Sequence, residues 1–101
     1  MPNSFLKEAT LQIAILQDAF LEEGKLQDAH LPNAHLPNAH LQGAILSDAN
    51  LQGANLSEVK LQGAILRQAD LRNTDLTPAN LQGADLTGAK LKGAKLNKSK
   101  L

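Results

Sequence analysis

The sequence predicts an all-β solenoid, a chain that bends after every short extended piece and stacks coil upon coil. Three observations lead there. Leucine occupies every fifth position from Leu6 to Leu101, twenty times without interruption. Two residues before each leucine stands a mostly small residue, alanine in fifteen cases, with Ser4, Gly24, Val59, Thr74 and Ser99 as the exceptions. Between one leucine and the next alanine lie dipeptides suited to tight turns, such as Pro32-Asn33 and Gln42-Gly43.

A period of five fits no continuous element. On an α-helix, five residues advance about 500°, so successive leucines would step round the axis and form no stripe. On an unbroken strand they would alternate faces, because five is odd. The unit A-x-L-x-x works if its first three residues are extended: alanine and leucine then point one way and the residue between them points the other. The next two residues must turn the chain so that the following alanine faces the same interior. LPNA (31–34 and 36–39) and LQGA (41–44, 51–54, 61–64 and 81–84) suit that task. Proline pre-sets φ at the second turn position, and glycine or asparagine tolerates the positive φ of the third position of a type II turn. Nine of the nineteen third positions are Gly or Asn. The others, Asp18 and Asp48 among them, are expected to need a different turn geometry.

Repeated turning gives stacked coils whose backbones pair about 4.8 Å apart. LQGAIL at 41–46 returns at 61–66, twenty residues on, which hints at four repeats per coil. The motifs ANLQG (49–53 and 79–83), ADLRN (69–73) and ADLTG (84–88) resemble the A-(D/N)-L-x-x unit of the pentapeptide repeat family. That resemblance covers essentially the whole chain. It implies a right-handed four-sided β-helix of about five coils, with leucine and alanine filling the interior. Residues 1–101 are thus expected to form a single domain. The family is abundant in cyanobacteria, so a bacterial source is expected.

Composition narrows the function. There is no cysteine, hence no disulfide, thiolate metal site or thiol nucleophile. No segment resembles a signal peptide or a membrane span of ~20 apolar residues, so a cytoplasmic location is expected. Leucine fills the interior and the acidic, basic and hydroxyl groups lie on a convex outside, whereas an active site needs a concave pocket. The reading is therefore not an enzyme, with no cofactor and no small-molecule substrate. Net charge is zero, yet residues 1–50 carry two cations and six anions (−4), and residues 51–101 carry eight and four (+4).

With twenty residues per coil, the outward positions fall into columns. His30, His35 and His40 in AHLPNAHLPNAHL are one repeat apart and point outward on three successive sides. Their Cα atoms should lie roughly 10–15 Å apart, since five residues span at most ~17 Å, and diverging imidazoles cannot gather round one metal ion. Pro32 and Pro37 fall on turns. Asp70 beneath Lys90 and Asp75 beneath Lys95 should form opposite-charge rungs, while Glu8, Asp28 and Asp48 stack like charges. Ile45 and Ile65, with Phe5 in the same column beyond Lys25, form the candidate interaction surface. Ile15 and Phe20 point outward on other sides. Lys90, Lys92, Lys95, Lys98 and Lys100 make a basic end. Met1, Pro2 and Phe5 are candidate N-terminal capping material. No C-terminal cap is visible, which leaves three expectations: self-association through solenoid ends, a longer protein of which this is a part, or lysines that keep the end soluble.

Three functions follow as expectations. The first is a non-catalytic scaffold or spacer that binds a protein partner. The second, implied by the resemblance, is DNA mimicry that inhibits and protects DNA gyrase; the neutral charge and short length disfavour it. The third is electrostatic attachment of nucleic acid or anionic membrane to the lysine-rich end, which carries no aromatics for base stacking.

Overall fold

The computed structural model describes residues 18–101. Each outward residue that precedes a leucine pairs with the residue twenty positions later in a single parallel bridge, from Phe20 with His40 to Asn80 with Lys100. The bridges sort into four columns: 20-40-60-80-100, 25-45-65-85, 30-50-70-90 and 35-55-75-95. Four columns mean four sides and twenty residues per coil, as the LQGAIL spacing suggested. The 84 described residues complete just over four coils, and the remainder of the expected five lies outside them.

The ladder is made of backbone hydrogen bonds. At the first bridge, Leu21 N–H donates to the His40 carbonyl and His40 N–H donates to the Ala19 carbonyl, both at 2.8 Å. The corners stack as well. Ala29 N–H closes its own turn on the Leu26 carbonyl at 3.1 Å, and Asp28 N–H reaches the Ser47 carbonyl of the adjoining coil at 3.0 Å. Few backbone groups are left over, so a helix of bends can stand without long strands.

The corners correct one expectation. Asp18 and Asp48 use the same geometry as the glycines, each at φ 60°. So do Glu23, Glu58, Gln68 and Lys98, at φ 56° to 63°. A negative φ followed by a positive φ, closed by the leucine carbonyl, is a type II turn. A left-handed conformation costs an ordinary residue about 1–2 kcal/mol. The turn-to-turn hydrogen bond fixes the path of each corner, so stacking overrides the local preference. Pro78 alone among the described corner residues departs, because its ring holds φ near −65°; the Thr77–Pro78 peptide is cis.

The interior holds the leucines from Leu21 to Leu81 and the alanines between them, essentially without exposure. Two exceptions to alanine are satisfied locally. Thr74 is buried and its hydroxyl donates to the Leu71 carbonyl at 2.9 Å; Val59 fills its place with methyl groups. Cover thins in the last coil, where Leu86, Leu91 and Leu96 are partly buried and Leu101 is 77% exposed. The capping role expected of Met1, Pro2 and Phe5, the Glu8 member of the acidic stack, and Ile15 lie outside the described residues.

Candidate interaction surface

The three histidines occupy three different columns, paired with Asn50, Asn55 and, for His40, with Phe20 and Lys60. The quadrilateral path therefore directs them to three sides. His40 instead stacks on the Phe20 ring, with centroids 4.5 Å apart and an interplanar angle of 23°. Among the described residues, no three side chains of metal-binding type converge.

Outward asparagines and aspartates have a structural task. Asn50, Asn55, Asp70, Asp75, Asn80 and Asp85 each accept the backbone N–H two residues on, at 3.0–3.1 Å. That N–H, at the second corner position, has no place in the ladder, and a short side chain with an oxygen at the right reach satisfies it. After His30 and His35 the same position is Pro32 or Pro37, which has no N–H to satisfy.

This local bonding displaces the expected opposite-charge rungs. Asp70 does lie beside Lys90, and Asp75 beside Lys95, in the ladder. Neither pair forms an ion pair. Asp70 is held by Arg72, whose Nε donates to Oδ1 at 2.9 Å and whose Nη2 donates to Oδ2 at 2.7 Å. That two-pronged bond, opposed in part by burial, holds the Asp70 carboxyl below its ordinary range and raises Arg72 above its own. Asp75 accepts Thr77 N–H. Asp85 accepts the Thr87 hydroxyl at 2.6 Å, which lowers its carboxyl in turn, and meets the Arg67 guanidinium at 3.7 Å. Short side chains bonded to their own corner leave the long lysines free in solvent.

Ile45 and Ile65 are direct neighbours in the second column, flanked by Lys25 and Asp85, and both are half-buried. They form a two-residue apolar rung, narrower than a patch; Phe5, expected to extend it, lies outside the described residues. Phe20, in a different column, is 54% exposed. Lys90, Lys92, Lys95, Lys98 and Lys100 are all exposed, spread around the sides of the last coil.

The sequence reading missed the corner at Pro78. Its turn lacks the usual bond from Ala79 N–H to the Leu76 carbonyl. Ser99, one coil on, replaces it: the Ser99 hydroxyl accepts from Ala79 N–H at 3.2 Å and donates to the Leu76 carbonyl. A signal existed in the sequence, since proline stands where every other described corner takes positive φ, and serine replaces the alanine twenty positions after Ala79. Beside this corner opens a cleft of about 250 Å³.

Comparison with known proteins fits this geometry. No curated protein sequence matches the chain. The pentapeptide repeats family model matches residues 25–63, 54–93 and 64–101, in eight copies. Among solved structures, the chain is similar to HetL, a pentapeptide repeat protein involved in heterocyst differentiation regulation from the cyanobacterium Nostoc sp. strain PCC 7120. There the identity is 38% and the TM-score 0.81, over 94% of this chain and 48% of HetL. It is similar also to a pentapeptide repeat protein from the Arabidopsis thaliana thylakoid lumen, at 30% identity and TM-score 0.73, over 96% of this chain and 61% of that one. Rfr23, a pentapeptide repeat protein from the cyanobacterium Cyanothece 51142, matches at 37% identity and TM-score 0.54, over 93% of this chain and 65% of its own. The chain thus spans about half to two thirds of the length of these structures. With leucine in unbroken phase, four parallel ladders and a turn at every fifth residue, the chain belongs to the pentapeptide repeat family and takes up its right-handed, four-sided β-helix.

Proposed function

We propose that the chain is a non-catalytic scaffold that presents its flat outer faces to a protein partner. The observation that carries this reading is the division of labour within the repeat. Leucine and alanine fill the interior, so it offers no room for a reacting molecule, and specificity resides on the outer surface. In the second column the Ile45–Ile65 rung offers apolar contact framed by charge, which suits a partner surface of modest area. Capture of partners by the wild-type chain and by an Ile45→Lys, Ile65→Lys double variant tests this. A protein recovered by the wild type and lost with the double variant supports the reading. Identical recovery by both would refute this choice of face.

A second reading rests on the five exposed lysines of the last coil. They would attract nucleic acid or anionic lipid, and binding would weaken steeply with salt and with Lys→Gln changes at 90, 92, 95, 98 and 100. Attachment unaffected by salt would exclude it. Self-association through the less covered last coil is a further consequence of the scaffold reading, detectable as concentration-dependent sedimentation. Mimicry of DNA toward gyrase calls for an extended acidic surface, and the neutral chain with its basic second half does not supply one. Among the described residues no helix is long and apolar enough to cross a membrane.

A further inference from the structure

We propose that the cleft beside Pro78 is a binding site for a compact, multiply charged oxyanion of the phosphate class. This inference is independent of the protein-partner reading. The cleft, about 250 Å³, is lined by Glu58, Lys60, Pro78, Asn80, Lys98 and Lys100, among others. Its volume is several times the roughly 30 Å³ share of a water molecule, enough for a phosphoryl group with some hydration.

The charge of the cleft is set by three lysines against one carboxylate. Neither Glu58 nor any of these lysines belongs to an ion pair among the described residues, whose ion pairs are Arg67–Asp85 and Arg72–Asp70. The ammonium groups are therefore not neutralised internally, and the net charge around the opening is positive.

A fixed backbone donor adds direction to that charge. At the corners with a coil above them, the third turn residue gives its N–H to the carbonyl of the adjoining coil, as Asn38 does to Ser57 at 2.9 Å and Gly63 does to Gln82 at 3.0 Å. By this rule Glu58 N–H should reach the Thr77 carbonyl. It finds no acceptor among the described residues. The corner at Pro78 cannot take the positive φ of its neighbours, and it is closed by Ser99 rather than by its own backbone. An N–H without a protein acceptor, on a residue that lines the cleft together with three lysines, suits an anion: the amide orients one oxygen and the lysines neutralise the rest. A cation would meet net repulsion here, and an apolar group would leave the N–H unsatisfied.

The test is a titration of the full chain, ¹⁵N-labelled, with inorganic phosphate at constant ionic strength, following the amide signals of Glu58 and Asn80. A saturable shift centred on Glu58 is expected. Pro78→Gly keeps every charge but lets the corner adopt positive φ and return Glu58 N–H to the Thr77 carbonyl. Phosphate affinity should then fall at least about tenfold, the worth of one hydrogen bond to a charged group. A Lys60→Gln, Lys100→Gln variant, which leaves the corner alone, should weaken binding comparably, and Glu58→Gln should tighten it. Phosphoserine in place of phosphate separates a protein-borne phosphoryl group from a free anion, and a shift at Glu58 with either supports the site. Equal phosphate affinity in wild type and Pro78→Gly would overturn the proposal, reducing it to diffuse attraction by lysine. Acetate binding as tightly as phosphate, or no saturable shift at Glu58, would overturn it as well.

Discussion

Residues 50–85 and the stretches on either side of them build the same ladder with different outward side chains. In the central stretch six of eight outward positions are Asp or Asn, and all six bond the N–H of their own corner. In residues 20–45 the outward positions are Phe20, Lys25, His30, His35, His40 and Ile45; in residues 90–100 they are lysines. The bridges continue through all three, while the cover over the interior leucines thins in the last coil. The difference teaches that the outward position is optional for the fold. It can support its own corner, or be released to meet something outside. The half-buried isoleucine rung and the outward lysines Lys90, Lys95 and Lys100 support no corner, which leaves them to serve recognition.

The largest effect expected tests what the regions share. Leu66→Ala removes a fully buried side chain between covered coils and should cost about 2–5 kcal/mol. Leu96→Ala, in the last coil, removes a partly covered one and should cost less than half as much. Chemical denaturation of both variants measures the difference. Equal losses would mean that the last coil is covered in solution, as self-association through that end would produce.

Much of this was legible in the sequence because one constraint, an apolar interior met every five residues, is written twenty times over. The columns followed from that period together with the twenty-residue return of LQGAIL and the family resemblance. What sequence reasoning missed were places where two elements of the repeat bargain with each other. Residue-by-residue propensity asks for another turn at Asp18 and Asp48, while the corner's conformation is fixed by the coil it stacks on. Asp70 was assigned to Lys90 across the ladder, when Arg72, two residues away, offered a two-pronged bond at shorter range. The exchange between Pro78 and Ser99 depends on a contact twenty-three residues apart, between Ser99 and Leu76, that only the coil geometry creates.

A middle-sized effect separates the two kinds of outward residue. Asn55→Ala removes the acceptor of Ser57 N–H and should cost about 0.5–1.5 kcal/mol. His35→Ala, in the same column, supports no corner N–H because Pro37 has none, and should change stability by no more than about 0.5 kcal/mol. The converse change sharpens the comparison: Lys90→Asn places an acceptor two residues before Lys92 N–H, in a stretch where no such bond exists. It should stabilise the last coil by up to about 1 kcal/mol. If Asn55→Ala and His35→Ala were equally mild, the aspartates and asparagines of the central stretch would be surface residues like the others.

The smallest effect concerns charge in the central stretch. Asp70 has 16% side-chain exposure and its partner Arg72 has 41%, so solvent screens the pair and its contribution should be small. Its sign with pH is fixed by the direction of the shift. The Arg72 hydrogen bond lowers the folded-state pKa of Asp70 below the ordinary value of an aspartate. The folded chain therefore holds this proton less readily than the unfolded chain, and the contribution is fully present above the unfolded pKa. It is lost as pH falls below that value and through the lowered folded one. Asp70→Asn keeps an oxygen for Arg72 N–H while removing the charge. The stability difference between wild type and this variant should be constant from neutral pH down to about pH 5 and shrink in more acid solution. Lys90→Gln should leave that profile nearly unchanged, because Lys90 acts on Asp70 only as a weaker, more distant charge. A profile governed by Lys90 instead would restore the cross-ladder pair as the effective one and make the Arg72 bond a surface contact without energetic consequence.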